Sequence, residues 1–337
     1  MRLLMLHTGG TLMMRGGDPT PLVPDVYTSD LLTELPVLNR IADIETRILF
    51  NYDSSDMQPH HWVELGAAVH GALDERRADG SRAFDGVVVL HGTDTMAYTA
   101  SALAFLLRGL DRPVVLTGAQ RPLAEVRTDA RSNLVDACHL ATMDIPEVGI
   151  GFNAKLLRGC RAVKMDAWGL DAFGSPSCPP LVTLGVTVER GSHVLPARPR
   201  QDFDARIEPK VLAVRVFPGL DPKLLLGALR SGVRGVVLEG FGSGNIPRLE
   251  NSLVPVVQDA VARDVPVVIV SQCARGAVDL TRYEGGAAAL GGGAIGAGTM
   301  TAEAAVTKLM LALGRAGEGR RLDAAKRAFA ESWAGEF

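Results

Sequence analysis

The sequence lacks long hydrophobic runs, is poor in cysteine and has no excess of charge of one sign. No segment reaches the roughly 18 consecutive apolar residues that a membrane-spanning helix needs, so we expect no membrane as a partner. The four cysteines have no CxxC spacing, which argues against a zinc site and a disulfide scaffold. A net charge of −3 with scattered basic residues predicts no nucleic-acid partner.

The rest of the composition is ordinary for a globular protein, with 47% hydrophobic and 22% charged residues. A chain of 337 residues is long enough for two domains. The apolar run at residues 1–7 is too short for a secretory signal. Together with the cysteine usage, this predicts a cytoplasmic protein.

The most informative stretch is VVVL at residues 87–90, followed by HGTDT at 91–95 and a helical pattern from 96 to 107. Four consecutive apolar residues suit a central parallel strand. Open α/β sheets bind their ligands where such strands end. Thr93, Asp94 and Thr95 have a simpler interpretation as helix caps, but one capping residue satisfies that need. We therefore predict a functional site here.

Strand and helix patterns alternate through the first half, which predicts a mostly parallel sheet covered by helices. The predicted strands are 1–7, 44–50, 87–90, 113–117 and 148–152, and the predicted helices are 59–77, 96–107 and 129–143. Four strands end in polar clusters, at residues 8–11, 53–57, 91–95 and 118–122. These ends share one edge of a parallel sheet, so we expect the clusters to converge. The TGGT cluster at 8–11 lacks the GxxxxGK[ST] pattern of a phosphate loop.

Charge, proline and glycine rise over residues 187–207 without a steady period, which predicts a linker. The predicted domains are therefore 1–186 and 208–337. The second half alternates again and predicts a smaller Rossmann-like α/β domain. Its predicted strands are 211–217, 236–239 and 265–270, and its predicted helices are 221–231, 248–263, 302–313 and 322–333. The glycine-dense segment 285–298 is expected to be a loop.

Seven motifs spread over essentially the whole chain resemble the bacterial-type L-asparaginase family, and most closely its intracellular type I branch. They are TGGT at 8–11, DSSDM at 53–57, HGTDTM at 91–96, TGAQRPL at 117–123, Lys164 with DAFGSP at 171–176, GSGNIP at 242–247 and SQC at 271–273. TGGT alone is a weak signal. In combination with HGTDTM and the downstream lysine it is specific.

The resemblance implies a two-domain α/β fold and hydrolysis of L-asparagine to aspartate and ammonia, without a metal or organic cofactor. It also implies a homodimer with active sites between subunits, and dimers that often pair as tetramers. Residue by residue, Thr11 resembles the primary nucleophile. Thr93, Asp94 and Lys164 resemble a second, triad-like group. Which threonine attacks is not decided by the sequence, and we favour Thr11.

These residue types suit the reaction. A side-chain amide is a poor electrophile, so hydrolysis gains from an acyl-enzyme ester formed on a hydroxyl nucleophile. Lys164 lies in an alternating, strand-like segment, and from that pattern alone it is more often a solvated residue. With the resemblance, it becomes the proton acceptor that acts through Thr93, while Asp94 fixes its position.

The resemblance also implies substrate-binding residues. Ser54, Ser55 and Asp94 would hold the α-amino and α-carboxylate groups of the substrate. Backbone N–H groups near Gly92 and Thr93, or at Ala119, would stabilise the oxyanion. Asn245 matches a position presented to the neighbouring subunit's site, although an asparagine in a glycine turn is equally consistent with the sequence.

Two departures from the family pattern stand out. The family usually carries a lid tyrosine about ten residues after the second threonine of TGGT, where this chain has Pro21, and Tyr27 is the nearest candidate. Some intracellular members also bind asparagine at an allosteric site. Cys273 is retained there, but Val163 and Glu239 replace the matching threonine and arginine, so we predict weak or absent activation by asparagine.

Three alternatives remain at this point. The first is a related amidase or a glutaminase-asparaginase. The second is the tRNA-dependent amidotransferase subunit of the same fold, which carries an additional amino-terminal domain, whereas TGGT begins at residue 8 here. The third, from another class, is a non-catalytic amino-acid-binding protein. The retention of Thr11, Thr93, Asp94 and Lys164 argues against the third.

Overall fold

The computed structural model describes residues 1–17, 20–24, 31–317 and 319–337. The chain forms two compact units, Met1–Phe203 and Asp204–Phe337. Their boundary falls inside the segment 187–207 proposed as a linker, although Val188–Arg190 within that segment is a strand of the first unit. The exact domain limits of 1–186 and 208–337 stay a prediction.

The first unit is built on an eight-stranded sheet with the order β12-β11-β8-β7-β6-β5-β1-β4. Its strands are β1 Arg2–Gly9, β4 Asp43–Tyr52, β5 Gly86–Leu90, β6 Val114–Thr117, β7 Val148–Phe152, β8 Lys155–Arg158, β11 Val182–Leu184 and β12 Val188–Arg190. The pairings from β4 through β1, β5 and β6 to β7 are parallel, and the remaining three are antiparallel. Two small antiparallel hairpins accompany it, β2 Met14–Gly17 with β3 Thr20–Pro24, and β9 Val163–Lys164 with β10 Phe173–Gly174.

The helices of this unit cover the sheet. They are α1 Leu31–Glu34, α2 Pro59–Asp74, α3 Met96–Leu106 and α4 Ala130–Leu140. Every residue of β5, β6 and β7 is buried, because central parallel strands are covered on both faces. On one face, Leu3 and Met5 of β1 join a core cluster with Leu134 and Ala137 of α4.

The parallel strands place four of the polar clusters at one edge of the sheet. β1 leads into a 3-10 helix, Thr11–Met13, and β4 leads into another, Ser54–Asp56. β5 ends just before His91 and β6 ends just before Gly118. The order β6-β5-β1-β4 makes these ends neighbours, which is the convergence that the strand pattern predicted.

The second unit has a four-stranded parallel sheet with the order β13-β14-β15-β16. Its elements are β13 Val211–Arg215, α5 Pro222–Arg230, β14 Gly235–Gly240, α6 Val254–Ala262, β15 Val267–Ser271, α7 Glu284–Gly291, β16 Ile295–Gly296, α8 Ala302–Gly314 and α9 Arg321–Ala330. Over the ranges that the structure describes, no helix is both long and apolar enough to cross a membrane.

Two of the expectations for this unit were wrong. The segment 285–298 is not a loop throughout, since α7 occupies Glu284–Gly291. Its glycines allow close packing: a Cβ on Gly285 would lie 2.1 Å from the Ile246 carbonyl oxygen. The helix expected at 248–263 begins only at Val254, where Pro255 fills its first turn.

Candidate active site

The turn after β1 is pressed against its neighbours at two glycines. Gly9 has φ +103° and Gly10 has φ +96°. A Cβ on Gly9 would lie 2.2 Å from the Tyr52 carbonyl oxygen, and one on Gly10 would lie 2.3 Å from the Gly92 amide nitrogen. Only glycine accommodates both the dihedral angles and these approaches. The contact brings the half-buried Thr11, one residue later, to the loop after β5.

Lys164 of β9 joins the residues that follow β5. Its Nζ donates a hydrogen bond to Thr93 Oγ1 at 2.8 Å and forms an ion pair with Asp94 Oδ1 at 2.7 Å. Thr93 is buried, the Lys164 side chain is 20% exposed and that of Asp94 is 63% exposed. The three side chains therefore form a charged cluster that is closed on the Thr93 side and open to solvent at Asp94.

The structure also explains why the residues after β5 do not act as helix caps. Thr95 occupies the N-cap position of α3, but its side chain makes no capping hydrogen bond. Its hydroxyl donates instead to the Ser54 carbonyl oxygen at 2.7 Å. Since Asp94 is bound to Lys164, both side chains connect separate segments of the site.

Ser54 is the second residue brought to this place. It is buried, and a Cβ on Gly92 would lie 2.5 Å from Ser54 Oγ. Ser55, in the same turn, is exposed, and its amide donates to Asp53 Oδ1 at 2.8 Å. The loop after β4 is therefore fixed by Asp53, and it presents one buried and one exposed serine.

Gln120 belongs to the site, although the sequence did not single it out. The Thr93 hydroxyl donates to Gln120 Oε1 at 3.0 Å. Gln120 Nε2 donates to the Gly169 carbonyl oxygen at 3.2 Å and that of Asp166 at 3.4 Å. Because carbonyls only accept, these two contacts orient the amide with its oxygen towards Thr93. Its place inside the TGAQRPL motif was the available signal.

His91 supports the loop from below. Its Nδ1 lies 2.7 Å from the Gly92 carbonyl oxygen and its Nε2 lies 2.9 Å from Thr99 Oγ1. The carbonyl only accepts, so Nδ1 carries the proton and Nε2 accepts from the Thr99 hydroxyl. Burial lowers the pKa of His91 to about 4, which keeps the ring neutral. Ala119, on the loop after β6, is also buried.

The other candidate residues lie elsewhere. Asn245 is in the second unit, where its Oδ1 accepts the Gly286 amide at 3.1 Å. Tyr27 lies outside the described residues, and Pro21 belongs to the strand β3.

Of the positions matched to the allosteric site, Glu239 lies 3.6 Å from an Arg215 nitrogen, Val163 precedes Lys164 in β9, and Cys273 is exposed. Within the described part of the chain, no three His, Cys, Asp or Glu side chains are grouped to hold a metal.

Comparison with known proteins identifies the family. The model for the amino-terminal domain of asparaginases matches residues 2–194, and that for the glutaminase/asparaginase carboxy-terminal domain matches residues 210–329. The chain belongs to the asparaginase family. The predicted fold of a large, mostly parallel amino-terminal domain and a smaller carboxy-terminal α/β domain is confirmed.

Individual asparaginases match along nearly the whole chain. The L-asparaginase of Thermococcus kodakarensis is 40% identical, covering 100% of this chain and 99% of that protein. Its thermostable enzyme's solved structure superposes with a TM-score of 0.88 at 39% identity, over 100% of this chain and 99% of that one. L-asparaginase 1 of Escherichia coli is 35% identical, covering 91% of this chain and 90% of its own length. The chain is thus an enzyme of this family, and amide hydrolysis is its class of reaction.

The tRNA-dependent amidotransferase is a poorer match in length. Its asparaginase-like subunit in Pyrococcus abyssi, which belongs to the glutamyl-tRNA(Gln) amidotransferase, is 34% identical, covering 99% of this chain but 76% of the relative. Asparaginases and this relative therefore share the two-domain fold, while about a quarter of the relative has no counterpart in this chain.

Proposed function

We propose that the protein hydrolyses L-asparagine to L-aspartate and ammonia through a threonine ester. The single observation that carries the proposal is the Lys164–Thr93–Asp94 cluster beside the Gly10–Gly92 contact. A hydroxyl that is hydrogen-bonded to an amine, with the amine held by a carboxylate, has the parts of a nucleophilic hydrolase site. The full-length similarity to two L-asparaginases supports this substrate.

In the first step, the Thr11 oxygen attacks the carboxamide carbon of the substrate. Its proton passes through the Thr93 hydroxyl to the Lys164 amine in its neutral form. Backbone N–H groups near Thr93 or at Ala119 stabilise the negative charge on the former carbonyl oxygen. The C–N bond then breaks, the nitrogen takes up a proton and leaves as ammonia, and a β-aspartyl ester remains on Thr11.

In the second step, water attacks the ester carbon and gives up a proton along the same route. The ester C–O bond breaks, aspartate leaves and the threonine hydroxyl is restored. The reaction consumes one water molecule and needs no metal or organic cofactor. Thr11 stands closest in sequence to the glycine contact, and Thr93 already bonds Lys164, so we assign attack to Thr11 and proton relay to Thr93.

Substrate recognition is assigned to the same edge of the sheet. Ser54 and Ser55 bind the α-carboxylate, and Asp94 binds the α-ammonium group through its exposed oxygen. Asn245 acts in the neighbouring subunit's site of a homodimer or homotetramer, and Tyr27 is the candidate for the lid. These assignments follow the family pattern, residue by residue.

We further assign the protein to the intracellular type I branch and to the cytoplasm. The similarity to L-asparaginase 1 of E. coli supports the branch. All four cysteines are free, which is the expected state in a reducing compartment.

The decisive experiment is ammonia release by the purified protein with L-asparagine, L-glutamine, D-asparagine and small aliphatic amides. We expect robust turnover of L-asparagine that is lost in Thr11→Ala. Turnover of another amide alone would replace the proposal by a sister amidase or glutaminase. Absence of turnover in a folded dimer that still binds asparagine would favour a binding protein.

The assignment of the two threonines needs a second readout. Intact-protein mass spectrometry of acid-quenched reactions should show an aspartyl adduct in the wild type, mapped to Thr11 by peptide analysis. Thr93→Val should slow adduct formation without moving it. An adduct on Thr93, or one that persists in Thr11→Ala, would reverse the assignment.

The same concentration series tests regulation. Val163 and Glu239 stand where some intracellular members carry a threonine and an arginine, so we expect hyperbolic saturation by asparagine. Sigmoidal saturation that disappears on substitution of Cys273 would contradict this expectation.

A further inference from the structure

Asp129 stands at the N-cap position of α4 without capping the helix. Both of its carboxylate oxygens are used by the loop after β6. Oδ2 accepts the Gln120 amide at 3.0 Å and Oδ1 accepts the Arg121 amide at 3.1 Å. The residue is only 6% exposed. A buried carboxylate that bonds two successive backbone amides is a fixed anchor for that backbone.

Asn133, one turn further along α4, completes the anchor. Its Nδ2 donates to Asp129 Oδ2 and to the Gly118 carbonyl oxygen, both at 3.0 Å. Its Oδ1 accepts the Asn153 amide at 3.1 Å. With the residue 1% exposed, the whole side-chain amide is satisfied inside the protein. The pair therefore holds both ends of the 118–121 loop against α4.

The 118–121 loop in turn touches the residues after β5. A Cβ on Gly118 would lie 2.2 Å from the His91 carbonyl oxygen. Gln120 Oε1 accepts the Thr93 hydroxyl at 3.0 Å, and the buried Ala119 lies between these two contacts. Any displacement of the loop would change the hydroxyl orientation of Thr93 and the direction of the Ala119 backbone groups.

We infer that Asp129 and Asn133 are positioning residues for amide hydrolysis, an inference that rests on the proposed function. They do not touch the substrate. They fix the 118–121 loop so that Gln120 orients the Thr93 hydroxyl and Ala119 keeps its backbone groups aligned for the developing charge on the substrate's amide oxygen.

The inference gives Asp129→Asn a specific consequence. The carboxamide keeps the size of the side chain but turns one oxygen into an NH2 donor. That donor then faces an N–H group of Gln120 or Arg121, so a buried backbone amide loses its acceptor. A displacement of the reacting groups by about 1 Å can cost on the order of 100-fold in rate. Asn133→Asp likewise removes donation to Gly118 and places two carboxylates together.

The experiment compares kcat and KM for L-asparagine in the wild type, Asp129→Asn, Asn133→Asp and Glu147→Gln. Glu147 is a matched control, because it is also a buried carboxylate that accepts a backbone amide, from Leu195 at 2.7 Å. It pairs with Arg158 and precedes β7, so it lies at the opposite end of the sheet from the 118–121 loop.

We expect kcat to fall by roughly 10- to 100-fold in the two α4 variants, with a much smaller change in KM. Glu147→Gln should lower Tm and keep the wild-type kcat. Hydrogen–deuterium exchange should rise within residues 118–121 in Asp129→Asn and stay at the wild-type level there in Glu147→Gln.

Two results would overturn the inference. One is wild-type kcat in Asp129→Asn. The other is an equal loss of kcat in Glu147→Gln at the same loss of Tm, which would show a general effect of stability. A wild type that turns over no amide refutes the proposed function instead. Exchange then decides the anchoring separately, because unchanged exchange at 118–121 in Asp129→Asn would refute it.

Discussion

Gly10 and Gly92 are in direct backbone contact, since a Cβ on Gly10 would lie 2.3 Å from the Gly92 nitrogen and 2.4 Å from its Cα. The contact joins the loops after two adjacent parallel strands, one leading to Thr11 and the other to Thr93. Neither loop can shift without the other. The relative position of the two threonines is therefore set by backbone rather than by side chains.

This contact predicts the effect of Gly10→Ala. The substitution forces a side chain into backbone atoms at φ +96°, a strained conformation that costs on the order of 1–3 kcal/mol before the overlap is relieved. We expect a lower Tm and loss of amide hydrolysis in the remaining folded protein. Gly71→Ala is the control, because it lies in α2 with no atom near its added Cβ. It should raise stability by about 0.5–1 kcal/mol and leave activity intact.

Lys164→Met tests the proton acceptor. Methionine keeps much of the side-chain volume but removes the amine that bonds Thr93 and Asp94. Loss of a general base typically costs about 100- to 10,000-fold, so we expect kcat to fall within that range with the fold preserved. Steady-state ammonia release measures it, and circular dichroism checks the fold. A variant that keeps more than half the wild-type kcat would remove Lys164 from the mechanism.

His91 makes stability depend on pH. Its folded pKa of about 4 lies below the ordinary value of 6.5, so the unfolded chain binds a proton first as pH falls. The contribution of a neutral His91 is complete above pH 6.5 and is lost progressively down to about pH 4. For one such group, the loss is about 3 kcal/mol.

Urea unfolding at several pH values between 4 and 7 measures this dependence. His91→Asn keeps a donor for the Gly92 carbonyl without an ionisable ring, so its slope should be shallower than that of the wild type. Thr99→Val removes the partner of Nε2 but keeps the ring buried. It should lower stability at every pH and keep the steep slope. Equal slopes in the wild type and His91→Asn would refute the assignment.

The carboxy-terminal unit contains a fully buried ion pair between Lys308 of α8 and Glu336, both 0% exposed. Although burial by itself raises the pKa of Glu336, Lys308 and the amides of Trp333 and Ala334 hold it below its usual value. Glu336→Gln leaves a buried ammonium without its counter-charge. We expect a loss of about 3–5 kcal/mol in the free energy of unfolding.

Urea unfolding followed by tryptophan fluorescence measures the effect of Glu336→Gln. Asp259→Asn is the control, since its ion pair with Arg263 lies on the surface of α6 and its removal should change stability little. Similar losses in the two variants would show that burial of the Lys308–Glu336 pair adds nothing to its contribution.

The sequence alone predicted much of the site, because the relevant signals are local. Apolar runs such as 87–90 mark central strands, and parallel strands must end at one edge of their sheet. The clusters at 8–11, 53–57, 91–95 and 118–122 were therefore expected to converge, and the structure places them on adjacent strands. Glycine density misled at 285–298, where close packing rather than flexibility explains the glycines of α7.

Tertiary structure decided the partners of individual side chains. Lys164 lies in an alternating segment typical of a solvated strand, and only the fold brings its amine across 71 positions to Thr93. Asp129 has the sequence of a helix cap, yet its carboxylate bonds the 118–121 loop instead. The physical reason is the range of the interactions. Hydrophobic period and turn chemistry act between near neighbours, whereas a hydrogen bond forms only where packing brings donor and acceptor within about 3 Å.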